Sequence, residues 1–270
     1  MKNRRSFLKT FSLSSAFLLS GEAFSTTAFL ESRNKVKLRF LIASDAHFGQ
    51  PKTDFEGMTS SFIKNAKEIH KKQKLDFCVI NGDLIHDKPE FMPQAKANFD
   101  GLPTSYFVTK GNHDRISDQA WLDLWKMPVN HYEEKDEFGL IFGNTSNEKG
   151  EYLSPDLVWL KSQLEKAKAL KIVFIFIHIP QMKWTPNAIE NPAFFELLKG
   201  YPNIKAVFHG HEHDQDGIKT HNEIPYIFDS HIGGNWGTEY RGYRIVEVLK
   251  NGDILTYMMD PTNKILEATL

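Results

Sequence analysis

Polar, chemically reactive residues follow several apolar runs at the point where each run ends. The run Tyr106-Phe107-Val108 leads into Gly111-Asn112-His113-Asp114, which places an amide, an imidazole and a carboxylate in consecutive positions. Because buried polar groups need partners, such a cluster favours a place where an ion is coordinated or a proton is moved. Four further runs end in the same way, at Asp45 and His47, at Asp83, at His178, and at His211 with His213.

The residue types at these ends indicate metal binding. Ligands of open α/β sheets bind beyond the carboxyl ends of the strands, so residues far apart in the chain can share one crevice. Mixed oxygen and nitrogen donors suit manganese, iron, zinc or cobalt better than calcium. One tetrahedral zinc needs fewer donors than this, so two ions are predicted. The candidate ligands are Asp45, His47, Asp83, Asn112, His178, His211 and His213.

Each motif taken alone also has an ordinary structural explanation. Asp45-Ala46-His47 and Gly82-Asp83 are common turn sequences. His178 could be a hydrogen-bonded core histidine, and Gly210-His211-Glu212-His213 could be a histidine-rich surface loop. The repetition of the pattern at five strand ends outweighs these separate explanations.

Hydrophobic periodicity predicts strands and helices that alternate through most of the chain. The strands are predicted at 36–43, 77–80, 105–109, 172–177, 204–208, 224–228, 243–249 and 254–259, with a hairpin over 132–142. Helices are predicted at 59–73, around 121–125, from Ser154-Pro155-Asp156 onward with Ser154 as a possible cap, and at 188–198. The last three strands follow one another without helices, which predicts a β-rich layer at the end of the chain.

Composition is ordinary for a soluble enzyme-sized domain. The 33 basic and 34 acidic residues give no signature of general nucleic-acid binding. The single Cys78 lies in an apolar run and excludes an internal disulfide framework. No repeat or linker divides the chain, so residues 29–270 are predicted to form one domain.

The amino terminus has the pattern of a targeting peptide. Arg4-Arg5 precedes a modestly apolar stretch and then small residues, with cleavage expected after Ser25 or Ala28. This resembles a twin-arginine export signal over residues 1–28, with Asn3 where Ser or Thr is more usual. The resemblance implies export to the periplasm in folded form through the export machinery, with no stable membrane insertion afterwards. Removal of this segment leaves a net charge of about −4.

With the five strand-end motifs in view, the chain resembles the calcineurin-like metallophosphoesterase superfamily over residues 36–260. The resemblance implies an α/β fold, a four-layer α/β/β/α sandwich of two central mixed sheets flanked by helices. It also implies two metal ions (manganese, iron or zinc). Asp45, His47 and His213 would bind the first ion, Asn112, His178 and His211 the second, and Asp83 would bridge them.

The same resemblance implies hydrolysis of a phosphate ester. Two cations acidify a bridging water, so that hydroxide can attack phosphorus in line with the leaving oxygen. His113 is expected to assist the leaving group, and Asp114 is expected to orient the His113 imidazole. His86 stands where purple acid phosphatases have a metal-binding tyrosine, so the resemblance to that branch is weak. His86 is either a residue beside the metals or an exposed loop histidine, and His209 is predicted to be structural.

The small bacterial phosphodiesterases are the most similar branch, which favours a phosphodiester or nucleotide as the small phosphate-ester substrate. A phosphomonoesterase and a non-catalytic metal-binding scaffold are the alternatives, and a DNA nuclease is disfavoured by the acidic charge. Trp184 or Trp236 could stack on a base or sugar, although ordinary packing is the simpler explanation. Arg241 and Arg244 could bind a phosphate or decorate a solvent face.

Overall fold

The computed structural model describes residues 36–270, so the predicted export signal and the first residues of the predicted domain lie outside the described part of the chain. Two six-stranded mixed sheets form its centre. The strands are β1 Val36–Ala43, β2 Phe77–Asn81, β3 Tyr106–Thr109, β4 His131–Lys135, β5 Phe138–Gly143, β6 Ile172–Ile177, β7 Ile204–His209, β8 Ile218–His221, β9 Ile224–Phe228, β10 Tyr243–Leu249, β11 Ile254–Asp260 and β12 Asn263–Thr269. The helices are α1 Phe55–Lys72, α2 Met92–Phe99, α3 Asp118–Trp125, α4 Leu157–Lys166 and α5 Pro192–Leu198.

The first sheet has the order β12-β11-β10-β1-β2-β3 and the second the order β4-β5-β6-β7-β9-β8. Strands β1, β2 and β3 run parallel, and so do β5, β6, β7 and β9. The remaining strands pair antiparallel at one side of the first sheet and at both edges of the second. Each sheet is therefore mixed, with a parallel portion whose strands all end at the same edge.

Alternation of side chains along the strands builds three apolar layers. In β1, Phe40 and Ile42 face the second sheet, whereas Leu41 and Ala43 face the helices on the outer side. Helices α1, α2 and α3 cover the first sheet, and α4 and α5 cover the second. The predicted α/β/β/α sandwich of two mixed sheets flanked by helices is confirmed.

Most predicted elements are observed within a few residues of their expected bounds. The helix predicted at 188–198 is shorter and begins at Pro192, because Asn191 caps it by accepting from the amide of Phe194. The helix predicted from Ser154 begins at Leu157. Its cap is Asp156, whose carboxylate accepts from the amides of Val158 and Trp159.

Two strands near the end of the chain were missed, β8 and β12, and both are largely polar edge strands. The predicted single β-rich layer is also wrong. Strand β9 joins the second sheet, whereas β10 and β11 join the first, so the end of the chain serves both layers. None of the helices within residues 36–270 is long and apolar enough to cross a bilayer.

Candidate metal centre

The ends of five strands from the two sheets converge at one edge of the sandwich. Asn81, the last residue of β2, links the sheets there, because its side-chain amide donates to the carbonyls of Ile177 and Phe208 at 3.4 and 3.3 Å. The side-chain oxygen of Asn81, Oδ1, in turn accepts from the Thr109 hydroxyl at 2.8 Å. The residues that follow β1, β2, β3, β6 and β7 are thereby brought together.

Asp45, His47 and His213 form the first group of potential ligands, with one donor atom of each within 4.8 Å of the others. Nε2 of His213 lies 2.9 Å from Nε2 of His47 and 3.1 Å from Oδ1 of Asp45. All three side chains are buried. Two imidazole nitrogens this close, beside a carboxylate oxygen, form a donor set that suits a transition-metal ion.

Asp83, His178 and His211 form the second group, also within 4.8 Å of one another. Nε2 of His178 lies 3.2 Å from Oδ2 of Asp83, and that same carboxylate oxygen lies 3.7 Å from Nε2 of His47. The carboxylate of Asp83 thus reaches both groups, which is the position that a bridging ligand requires.

Unpaired polar atoms show that these residues fit a metal. Oδ1 of Asn112 and Nε2 of His211 are both buried and have no hydrogen-bond partner within residues 36–270. Leaving a buried acceptor unpaired costs about 1–3 kcal/mol. A cation in the second group would satisfy Nε2 of His211, and Oδ1 of Asn112 has the chemistry of a further ligand.

The outer nitrogens of the histidines are held by backbone carbonyls. Nδ1 of His178 donates to the carbonyl of Asn81 at 2.7 Å, and Nδ1 of His213 lies 3.2 Å from the carbonyl of Trp236. This leaves Nε2 of each ring as the lone-pair nitrogen. Metal-binding histidines are usually oriented in this way.

The loops that carry the ligands have an unusual backbone. Asp45, His47, Asp83 and His211 all adopt positive φ angles, of 56°, 44°, 51° and 71°. Non-glycine residues rarely adopt this conformation, and clusters of such residues occur at functional sites. Gly111 is required for a different reason: a Cβ there would overlap the backbone and carboxylate of Asp83.

Charge at the centre favours bound cations. Burial alone would raise the pKa of Asp45, but the neighbouring His213 and His178 hold it below its ordinary value. Burial would likewise lower the pKa of His178, but Asp83 and Asp45 raise it to about 10. The two buried carboxylates therefore stabilise positive charge, and a metal ion would replace protons on binding.

His113 lies beside the first group, with its ring centroid 4.8 Å from that of His47. Its backbone amide donates to Oδ1 of Asp83 at 2.8 Å, and its Nδ1 lies 2.9 Å from Oδ1 of Asp87. The ring of His86 stacks on it, at 4.8 Å and 10°. His113 is only partly buried, so it can reach a molecule in the cleft.

The expectation that Asp114 orients the imidazole of His113 is wrong. The Asp114 carboxylate is buried and accepts from the backbone amides of Ile85 and Gly111, at 3.0 and 2.9 Å. Burial and the charge of Asp83 raise the pKa of Asp114 to about 7. Asp114 therefore ties two site loops together, and Asp87 holds the imidazole of His113.

The structure also shows the surroundings of the arginine, tryptophan and histidine residues that the sequence left as possible substrate contacts or structural residues. Arg244 is buried and pairs with Asp229 at 3.1 Å, and Arg241 donates to the carbonyl of Gly234 at 2.7 Å. Trp184 packs against buried aromatic rings, and His209 is buried against Phe228. Arg244, Trp184 and His209 therefore have structural roles.

Sequence reasoning left His86 open and did not identify Asn81, Asp87 or Glu212. Nδ1 of His86 lies 3.0 Å from Nδ1 of His47, so His86 belongs to the surroundings of the metal centre. The buried Glu212 accepts from the hydroxyl of Thr185 and from the side-chain amide of Asn187. A polar residue at a strand end was the only signal for Asn81, and nothing distinguished Asp87 from any loop carboxylate.

Several known proteins resemble this chain in sequence or in fold. The sequence profile described as calcineurin-like phosphoesterase matches residues 38–215. A serine/threonine-protein phosphatase, CPPED1 of Danio rerio, is 25% identical over 233 residues, which cover 74% of this chain and 73% of that protein. The 3',5'-cyclic-nucleotide phosphodiesterase alr5338 of Nostoc sp. is 25% identical over 176 residues, which cover 61% of this chain and 66% of that protein.

Among solved structures, the crystal structure of a dimetal phosphatase from Danio rerio superposes with a TM-score of 0.70 at 12% sequence identity. The superposition covers 87% of this chain and 98% of the dimetal phosphatase chain. At that identity the similarity supports the fold, and the matched family profile supports the family. The chain belongs to the calcineurin-like phosphoesterase family.

Proposed function

We propose that this chain hydrolyses a phosphodiester with the help of two metal ions. The first ion would be held by Asp45, His47 and His213, and the second by Asn112, His178 and His211, with Asp83 between them. The observation that carries the proposal is that one Asp83 oxygen lies within 3.7 Å of an imidazole nitrogen in each of the two groups. The family match and the dimetal phosphatase of the same fold support it.

Bound cations of this kind acidify a water and neutralise the charge on the phosphoryl oxygens. The protein's own residues orient the ligands and deliver a proton. Nδ1 of His113 is held by Asp87, so Nε2 remains to donate a proton to the leaving oxygen. Asp114 keeps Gly111, and with it the Asn112-His113 segment, in place.

The assay that tests the proposal compares bis(p-nitrophenyl) phosphate with p-nitrophenyl phosphate after reconstitution with manganese, zinc or iron. We expect hydrolysis of the diester with the higher kcat/KM. His113→Ala should lower kcat by about 10²–10⁴-fold while metal content stays at the wild-type level. A protein that binds its metals and hydrolyses neither compound would instead be a binding scaffold.

A phosphomonoesterase on the same site is the second candidate. It is favoured by the phosphatase from Danio rerio, which matches a longer part of this chain than the phosphodiesterase from Nostoc sp. does. The same pair of compounds separates the two candidates, because a monoesterase would show the higher kcat/KM with p-nitrophenyl phosphate.

We also propose that residues 1–28 direct export through the twin-arginine route. The support is the Arg4-Arg5 pair before an apolar stretch and small residues. Changing both arginines to lysine in a bacterial host that has this pathway should keep the protein in the cytoplasm. Unchanged appearance of the double variant in the periplasm would contradict the proposal.

A further inference from the structure

Two exposed aromatic side chains border the metal centre, and each contacts a histidine of a different ligand group. The six large apolar side chains that are exposed within residues 36–270 are Leu122, Tyr152, Leu153, Val158, Trp236 and Leu266. The aromatic members of this set are Trp236 and Tyr152, and both lie at the metal centre. An aromatic side chain that stays partly exposed beside a binding site offers a face on which another planar ring can stack.

Trp236 lies beside the first group. Its indole is nearly parallel to the His213 imidazole, with centroids 4.2 Å apart and planes at 7°, and its centroid is 4.8 Å from that of His47. One face of the indole is thus covered by a predicted metal ligand. The residue nevertheless remains 43% exposed, so part of its surface is open to solvent beside the first group.

The loop around Trp236 is fixed rather than loosely attached. The amide of Thr238 donates to the carbonyl of His213 at 3.0 Å, and Arg241 donates to the carbonyl of Gly234. The side chain of Gln50 donates to Asn235 at 3.1 Å. A ring held in place on both sides loses little freedom when a second ring stacks on it.

Tyr152 occupies the corresponding position at the second group. Its ring centroid lies 4.8 Å from that of His211, with the planes at 85°, and the residue is 41% exposed. The segment is anchored by a bridge between Ser146 and Tyr152 and by the amide of Leu153, which donates to the carbonyl of Thr145 at 2.8 Å.

The presence of two exposed aromatic side chains, one beside each ligand group, favours a diester. A phosphodiester carries two organic groups and one negative charge, whereas a monoester carries one group and up to two charges. There is one aromatic platform for each organic group.

We propose that Trp236 and Tyr152 are specificity-determining residues, and that the substrate is a phosphodiester that carries a planar ring, such as a nucleobase, on an ester group. This inference rests on the proposed function. Stacking on an aromatic side chain accepts any base, so it selects for a ring rather than for one nucleotide.

The test uses two diesters that share a leaving group, thymidine 5'-(p-nitrophenyl phosphate) and ethyl p-nitrophenyl phosphate. We expect the wild-type kcat/KM to be about tenfold higher for the thymidine compound, chiefly through a lower KM. Trp236→Leu keeps apolar cover over His213 but removes the aromatic face, and Tyr152→Leu does the same at the second group. At least one of them should reduce the preference severalfold, and Trp236→Phe should retain most of it.

Val158→Ala is the control, because Val158 is 84% exposed on α4 and belongs to neither ligand group. Its preference should equal that of the wild type, and the metal content of every variant should match. Equal kcat/KM for the two compounds in the wild type, or an unchanged preference in both leucine variants, would overturn the inference and leave the proposed function standing. Failure of the metal-loaded wild type to hydrolyse either compound would instead overturn the proposed function.

Discussion

The two carboxylates near His113, those of Asp87 and Asp114, accept hydrogen bonds from different groups. Asp87 is only partly buried and contacts the imidazole, whereas Asp114 is buried and contacts two backbone amides. The strand-end pattern identifies Asp114 as a candidate because it directly follows His113. The pattern does not predict which groups Asp114 contacts, because the direction of its side chain depends on the conformation of the loop. Asp87 lies in a different loop and carries no motif.

Asp87→Asn should therefore affect catalysis, and Asp114→Asn should affect stability. Asp87→Asn should lower kcat by about tenfold with little change in the melting temperature, because the carboxylate that orients the catalytic imidazole is lost. Asp114→Asn should reduce the free energy of unfolding by about 1–3 kcal/mol, because an amide cannot accept both backbone hydrogen bonds as well. Steady-state kinetics and thermal unfolding of both variants measure this. A lower kcat in Asp114→Asn together with an unchanged kcat in Asp87→Asn would instead show that Asp114 orients the imidazole of His113.

Helix α4 shows how an element can be predicted while its first residue is not. Ser154-Pro155-Asp156 contains two possible caps, and only the structure shows that Asp156 accepts from the amides at the start of the helix. Asp156→Ala should lower the free energy of unfolding by about 1 kcal/mol. Ser154→Ala is the matched control and should cost clearly less. Denaturant unfolding of the two variants decides between the caps, and a larger loss in Ser154→Ala would contradict the structure.

Strands β1 and β6 were predicted at their observed bounds. Strand β6 is a continuous apolar run with parallel neighbours on both sides, and β1 ends in the apolar run Phe40-Leu41-Ile42-Ala43. Strands β8 and β12 were missed because an edge strand buries little and is free to be polar. The division of the last strands between two sheets depends on contacts between residues far apart in sequence, such as Arg244 with Asp229, and local periodicity carries no information about them. The sandwich itself was predicted from the family resemblance.

At the scale of the whole molecule, stability should fall at acidic pH partly through His131. Burial against Phe142 lowers the pKa of His131 to about 4, although the hydrogen bond from its Nδ1 to the carbonyl of Pro128 acts in the opposite direction. The neutral ring is favoured in the fold, so its contribution is complete above the unfolded pKa of about 6.5 and is lost as the pH falls towards 4. His131→Asn, which keeps a donor near the Nδ1 position, should lose less stability between pH 6.5 and 4 than the wild type. Equal slopes of unfolding free energy against pH would contradict this.

The proposed function requires that the two ligand groups hold two metal ions that share Asp83. The direct test is the metal content per chain after purification without chelators and reconstitution with manganese, zinc or iron, measured by mass spectrometry for the wild type and for Asp83→Asn. Two ions per wild-type chain and a clear loss in the variant are predicted. One ion or none in the reconstituted wild type, or two ions in Asp83→Asn, would contradict the account.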